Sequence, residues 1–106
     1  GDMAKLMKQA QDMQSKMTDI QKKLEELEVK GESGGGLIKA IVNAKGTLKS
    51  LNVDESLFVA SEKAVVEDLI VAAIRDAQKK SGDKAIEEMA KVTSDLNLPA
   101  GFKLPF

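Results

Sequence analysis

The hydrophobic positions in the first quarter of the chain follow an unbroken heptad pattern. Apolar side chains recur at alternating spacings of three and four residues, at Met3, Leu6, Ala10, Met13, Met17, Ile20, Leu24 and Leu27. Polar and charged residues separate them, and no glycine or proline interrupts the run. This spacing is typical of a helix that packs one face against another surface. It predicts a helix over residues 3–28.

The predicted helix is longer than a globule built from this chain. At 1.5 Å per residue it measures roughly 38 Å, whereas a compact chain of this size has a radius of gyration of about 13 Å. The helix is therefore expected to project from its own domain. A projecting apolar stripe needs a covering surface, which is a geometric argument for a homodimer.

Residues 29–53 change to a pattern typical of strands. The segment 37–43 is rich in β-branched residues, a turn with Gly46 follows, and 47–53 reads as the returning strand. Together with a weaker strand before residue 34, these segments predict a three-stranded antiparallel meander.

The triple glycine at residues 34–36 has two interpretations. A phosphate-binding loop would need a GxxxxGK[ST] pattern between a strand and a helix, and here a strand follows instead. The other interpretation is a close approach of two backbones, which we assign to a strand-to-strand contact between two copies. The predicted dimer interface comprises Gly34, Gly35, Gly36, Leu37, Ile41, Leu69 and Ala73.

The second half of the chain is predicted to be helical over residues 61–96. Its apolar positions form a face wider than one stripe, and Gly82 followed by Asp83 resembles a helix stop and a new N-cap. One kinked helix and two helices in line remain open. The tail over residues 97–106 is predicted to be extended, as a frayed end or as a segment docked through Phe102, Leu104 and Phe106.

Composition excludes several classes of function. The chain has no cysteine and no histidine, which argues against zinc sites, disulfides and His-based catalysis. Sixteen basic residues oppose seventeen acidic ones, giving a net charge of −1. No apolar run is long enough to span a membrane and no signal-peptide pattern is present. We expect a single soluble intracellular domain without a cofactor, small-molecule substrate, membrane partner or enzymatic activity.

Several motifs resemble the YbaB/EbfC family of bacterial nucleoid-associated proteins. They are the segment LEVKGESGGGL at residues 27–37, Val42-Asn43, residues 67–70 with Ala72-Ala73, and the tail LPAGFKLPF at residues 98–106. The resemblance implies an α+β fold with a long N-terminal helix, a small sheet and a long C-terminal helix. It also implies a tweezer-like homodimer that binds double-stranded DNA in the cytoplasm, at the nucleoid, without catalysis.

The resemblance places the DNA contacts on the charged face of the projecting helices. In this chain the matching residues are Lys5, Lys8, Lys16, Lys22 and Lys23, with Lys79, Lys80 and Lys84 as alternatives. We expect phosphate contacts with strong salt dependence, little base readout and an effect on DNA conformation and gene expression. The alternative is an adaptor dimer that binds a partner helix through its methionine-rich stripe.

Overall fold

A computed structural model describes residues 1–96 and consists of two long helices joined by a three-stranded sheet. The helices and strands in chain order are α1 (Asp2–Glu26), β1 (Glu28–Ser33), β2 (Ile38–Asn43), β3 (Leu48–Val53) and α2 (Lys63–Leu96). The predicted α+β class and the order of its elements are confirmed. The predicted extended tail at 97–106 lies outside the described residues.

The sheet is antiparallel in the order β1-β2-β3. Gly31 of β1 is paired with Ala40 of β2, and Ala40 is paired with Leu51 of β3. Alternate β2 residues therefore face α2, and Ile38, Ala40 and Val42 are fully buried there. The core thus lies between the sheet and α2.

Gly31 lets the backbones of β1 and α2 touch. A Cβ atom at Gly31 would lie 2.6 Å from the carbonyl oxygen of Ala73 and would overlap the backbone nitrogen of Ala77. Only glycine fits there, and only small residues fit opposite it. Ala73 is completely buried in this intrachain contact, so we remove it from the predicted dimer interface.

The triple glycine serves a different purpose within the chain. Gly34, Gly35 and Gly36 have φ angles of 60°, 66° and 94°, which favour glycine because a Cβ atom disfavours that region. They form the turn between β1 and β2, and a Cβ atom at Gly35 would meet nothing within 4 Å. The close approach within the chain is therefore at Gly31, while the contact predicted between copies at residues 34–36 remains a prediction.

The N-terminal half of α1 projects, as its length predicted. Ile20 and Leu24 are buried against Ala44, whereas Met3 is 73% exposed and Leu6 and Met7 are each 60% exposed. The radius of gyration is 19.5 Å and the molecule measures 72 × 22 × 16 Å. Its elongation comes from helices that extend past the sheet, and we call residues 2–17 of α1 the arm.

Helix α2 continues through Gly82, so of the two possibilities left open the structure shows one helix and not two helices in line. Ser81, directly before it, is buried and donates its hydroxyl to the carbonyl oxygen of Asn43 over 2.8 Å. Ala85, one turn later, packs against the cluster of Ile20 and Leu24. Because tertiary contacts hold both flanking turns, they outweigh the cost of about 1 kcal/mol for a glycine inside a helix.

Candidate nucleic-acid interface

The predicted DNA-binding lysines of α1 are all exposed but do not share one face. Lys5, Lys16 and Lys23 are separated by 11 and 7 residues, which places them on one flank of the helix beside the apolar stripe. Lys8 and Lys22 lie further around the helix, about 60–100° from that flank at 100° per residue. The structure thus divides the predicted site between two sides of α1.

Lys23 joins α1 to α2 through an ion pair. Its Nζ lies 2.7 Å from Oε2 of Glu88, whose side chain is only 3% exposed. The other carboxylate oxygen of Glu88, Oε1, lies 3.2 Å from Nζ of Lys91 and 3.6 Å from Nζ of Lys84. One buried carboxylate therefore holds ammonium groups from both helices, and we call these four residues the junction cluster.

The charges around Glu88 keep it ionised. The ammonium group of Lys23, 2.7 Å from Oε2, lowers the pKa of Glu88 to about 2, and the hydrogen bond from Lys91 acts in the same direction, although burial opposes both. Attraction by the ammonium groups of Lys23 and Lys91 outweighs the loss of hydration. The carboxylate is therefore negatively charged across the physiological pH range.

A cavity of about 380 Å³ opens between the helices beside the junction cluster. Its lining residues come from both helices and are Lys16, Asp19, Ile20, Lys23, Glu88, Lys91 and Val92. Three ammonium groups face two carboxylates, which leaves one positive charge in excess. The lining of this cavity is suited to a singly charged anionic group such as a backbone phosphate.

The remaining predicted interface residues lie around the sheet. Leu37 is partly exposed at the turn before β2, Ile41 is half-buried beside polar side chains on the uncovered sheet face, and Leu69 is half-buried. A Cβ atom at Gly34 would lie 3.4 Å from the Leu69 side chain. Leu69 therefore supports the β1–β2 turn of its own chain.

An apolar surface is exposed near β3, because α2 covers β1 and β2 but leaves β3 largely uncovered. Leu48 and Leu51 of β3 are exposed on the side of the sheet that faces α2. Phe58 and Val59, in the connection to α2, are exposed as well. Exposed apolar side chains of this number are typical of a contact surface.

Within residues 1–96, no helix is long and apolar enough to cross a lipid bilayer. Within the same range no three His, Cys, Asp or Glu residues are grouped closely enough to hold a metal ion.

Comparison with protein families identifies the group to which this chain is related. The model of the YbaB/EbfC DNA-binding family matches residues 1–96, which include both helices and the sheet. The chain belongs to the YbaB/EbfC DNA-binding family.

Curated relatives are similar over nearly their whole length. A nucleoid-associated protein of Granulibacter bethesdensis is 51% identical over 105 residues, which cover 99% of this chain and 98% of the relative. A nucleoid-associated protein of Methylocella silvestris is 50% identical, and one of Agrobacterium fabrum is 46% identical, with the same coverage. The resemblance stated from the sequence is thereby confirmed.

A solved structure has the same fold. The crystal structure of an uncharacterized protein from Helicobacter pylori matches with a TM-score of 0.67 at 20% identity. The match covers 90% of this chain and 96% of that one. At this identity the likeness supports the fold alone.

Sequence reasoning on this YbaB/EbfC chain named Lys84 of α2 as an alternative DNA contact but missed Glu88 and Lys91. The apolar Ile86 is 69% exposed, whereas the buried positions of α2 include Ala73, Ala77, Ser81 and Glu88. Spacings of four, four and seven residues keep these four side chains on one face of a helix. That spacing was a detectable signal, but a glutamate does not suggest a buried position.

Proposed function

We propose that two copies of this chain form a dimer that holds duplex DNA through contacts with its phosphates. The observation that carries the proposal is the convergence of lysines from α1 and α2 at one junction, from which the lysine-bearing arm projects. Membership in a DNA-binding family supports it. The proposed activity requires no catalytic step and no cofactor.

The arrangement of charges favours the DNA backbone over base edges. Ammonium groups on long flexible side chains act as point charges toward phosphates, whereas bidentate base reading usually uses arginine. The chain has a single arginine, Arg75, and it lies in the part of α2 beside the sheet. We therefore expect little sequence preference and an affinity that falls steeply with salt.

The proposed site of action is the nucleoid in the bacterial cytoplasm, where the protein would alter DNA conformation and gene expression. Several curated relatives are named nucleoid-associated proteins, which supports this location. Arms that clamp a duplex favour the DNA shapes that fit between them. Ligase-catalysed circularisation of a short duplex measures this effect, and unchanged circularisation at saturating protein would argue against it.

A DNA-binding titration tests the proposed contacts. A short labelled duplex is titrated with the protein at increasing salt, and the logarithm of affinity should fall linearly with the logarithm of salt concentration. Replacing both Lys5 and Lys8 by glutamate should weaken binding by about tenfold or more. Replacing both Lys39 and Lys63 by glutamate is the matched control, because it changes net charge equally outside the arm.

The dimer is proposed to form through the apolar surface near β3. Four of the eight buried hydrophobic residues in the described part of the chain are alanines, so this part buries few large side chains, and a second copy would add to its core. We expect Leu51→Glu to sediment as a monomer, while Ile86→Glu, on an exposed part of α2, stays dimeric. A monomeric parent protein at micromolar concentration would contradict the proposal.

A second candidate function is an adaptor that binds a protein helix. The exposure of Met3, Leu6 and Met7 on the arm favours it, since methionine-rich stripes adapt to varied partners. Capture from a nuclease-treated lysate separates the two functions. A protein partner that stays bound after removal of DNA, and is lost in Leu6→Asp, would support the adaptor.

A further inference from the structure

Glu88 lies at a position of α2 where other inward residues are small or uncharged. Ala77, Ser81 and Ala85 precede it along the same side of the helix, facing the sheet and then α1. Burying a lone carboxylate is strongly unfavourable unless positive partners surround it. Glu88 has three such partners within 4 Å, and one of them, Lys23, belongs to α1.

The lysines of the junction cluster remain open to solvent even though their carboxylate is buried. The side chains of Lys23 and Lys91 are 51% and 57% exposed, and that of Lys84 is 35% exposed. An ammonium group carries three N–H donors, so Lys91 has donors left after bonding Oε1 of Glu88, while Lys23 and Lys84 lie at ion-pair distance from the same carboxylate. Ammonium groups from two helices are thus gathered around one carboxylate, with N–H donors available to a further acceptor.

We propose that Glu88 is a positioning residue that gathers Lys23, Lys84 and Lys91 into a phosphate-binding site at the α1–α2 junction. The DNA backbone then contacts the base of the arm as well as its length. The inference rests on the proposed DNA binding and adds α2 to the DNA-contacting surface. Side chains already held in place lose less conformational freedom when a phosphate binds, which favours binding.

Whether Glu88→Gln raises or lowers the affinity for DNA distinguishes a positioning role of Glu88 from a simple effect of its charge. Removing an acidic residue from a DNA-binding protein normally strengthens binding, because DNA is an anion. If Glu88 merely competed with phosphate for the lysines, Glu88→Gln would bind DNA more tightly. If Glu88 positions them, the same variant binds more weakly in spite of its more favourable net charge.

Glu87 provides the matched control. It neighbours Glu88 on α2, is 58% exposed and approaches only Lys84 in the cluster, at 3.7 Å. Fluorescence anisotropy of a labelled duplex at low salt compares the two glutamine variants. We expect Glu88→Gln to bind about threefold or more weakly than the parent and Glu87→Gln to bind as well or better. Equal or tighter binding by Glu88→Gln overturns the inference.

A second measurement excludes a purely structural effect of Glu88→Gln. In the parent protein, the side-chain Nζ signals of Lys23, Lys84 and Lys91 in ¹⁵N NMR should shift when duplex DNA is added. Lys63 is at the opposite end of α2, about 30 Å or more from the cluster at 1.5 Å per residue, and should shift less. If DNA moves the cluster signals no more than the Lys63 signal, the inference fails even when Glu88→Gln binds weakly.

The inference and the proposed function fail in different ways. Lys91→Gln should weaken DNA binding about threefold or more, whereas Lys63→Gln should have little effect. If Lys91→Gln binds normally while the Lys5 and Lys8 double variant loses binding, the arm is the site and the junction is not. If the parent protein fails to bind any duplex at low salt, the proposed function itself is wrong.

Discussion

Helix α2 makes two contacts of different character, one with the sheet and one with α1. At the sheet, Gly31 lies directly against the backbone at Ala73 and Ala77, and the buried side chains are apolar or uncharged. At α1, Ile20 and Leu24 form a small apolar cluster beside the buried carboxylate of Glu88. The contact with the sheet consists of close packing, and the contact with α1 combines packing with an ion-paired carboxylate.

The difference assigns separate tasks to the two ends of α2. Close backbone packing tolerates almost no change, so the sheet end serves mainly to hold the fold together. A buried carboxylate surrounded by lysines is poor evidence for added stability, since the loss of hydration offsets much of the attraction. The α1 end is therefore where binding chemistry is expected.

The largest expected effect is a loss of stability when the close contact between Gly31 and α2 is disrupted. Gly31→Ala places a Cβ atom against the backbone of α2 and should lower the free energy of unfolding by about 3 kcal/mol. Gly82→Ala is the control, because this exposed helical position meets nothing within 4 Å, and it should stabilise by about 1 kcal/mol. Urea denaturation followed by circular dichroism measures both. Equal effects of the two variants would contradict the close contact.

A second substitution tests how separate the two contacts are. Leu24→Ala removes a buried side chain at the α1 end and should cost about 2–4 kcal/mol. Leu6→Ala, on the exposed arm, should change the free energy of unfolding by no more than about 0.5 kcal/mol. Hydrogen exchange should show Leu24→Ala loosening α1 while β2 stays protected. Equal loss of protection in both elements would mean that the two contacts form one cooperative unit.

The smallest expected effect concerns pH. The pKa of Glu88 is lowered from 4.5 to about 2 by its lysine partners, Lys23 first. A carboxylate with a lowered pKa in the folded state stabilises the fold above its unfolded value, and this stabilisation is lost as pH falls. The contribution of Glu88 should therefore be complete above about pH 4.5 and should disappear toward pH 2.

Comparison with Glu88→Gln isolates this contribution. Asp76 also has a lowered pKa, because it accepts the backbone N–H of Glu32 and a hydrogen bond from Lys80, so the sheet contact weakens in acid as well. The free energy of unfolding, measured by denaturation at each pH from neutral to pH 3, should fall less steeply with decreasing pH for Glu88→Gln than for the parent. Parallel curves would show that Glu88 contributes nothing to the pH dependence.

Local patterns in the sequence predicted most of the fold. The heptad spacing in α1, the β-branched run before Asn43 and the turn at Gly46 each depend on neighbouring residues, and each predicted its element within about two residues. Whether the helix breaks at Gly82 stayed open, because the group that holds Ser81 in the helix, the carbonyl oxygen of Asn43, is distant in sequence. Glycine weakens a helix locally, but it does not determine whether tertiary contacts make up the loss.

The site was less predictable than the fold. Lys23 was among the predicted DNA-binding residues, but Lys91 and Glu88 were not, since their place in the cluster depends on how α1 crosses α2. Ala73 was assigned to the interface with a partner copy, because a small residue permits close packing but does not show which surface packs against it.

By itself, the sequence determined the projecting helix, the three antiparallel strands and the absence of cysteine and histidine chemistry, because these follow from composition and from spacing along a few turns. Only the tertiary structure decided which face of α2 turns inward, that Gly31 is the point of closest packing, and that Glu88 gathers lysines from two helices. The physical reason is that burial and ion pairing depend on which distant segments meet. Periodicity along one segment does not contain that information.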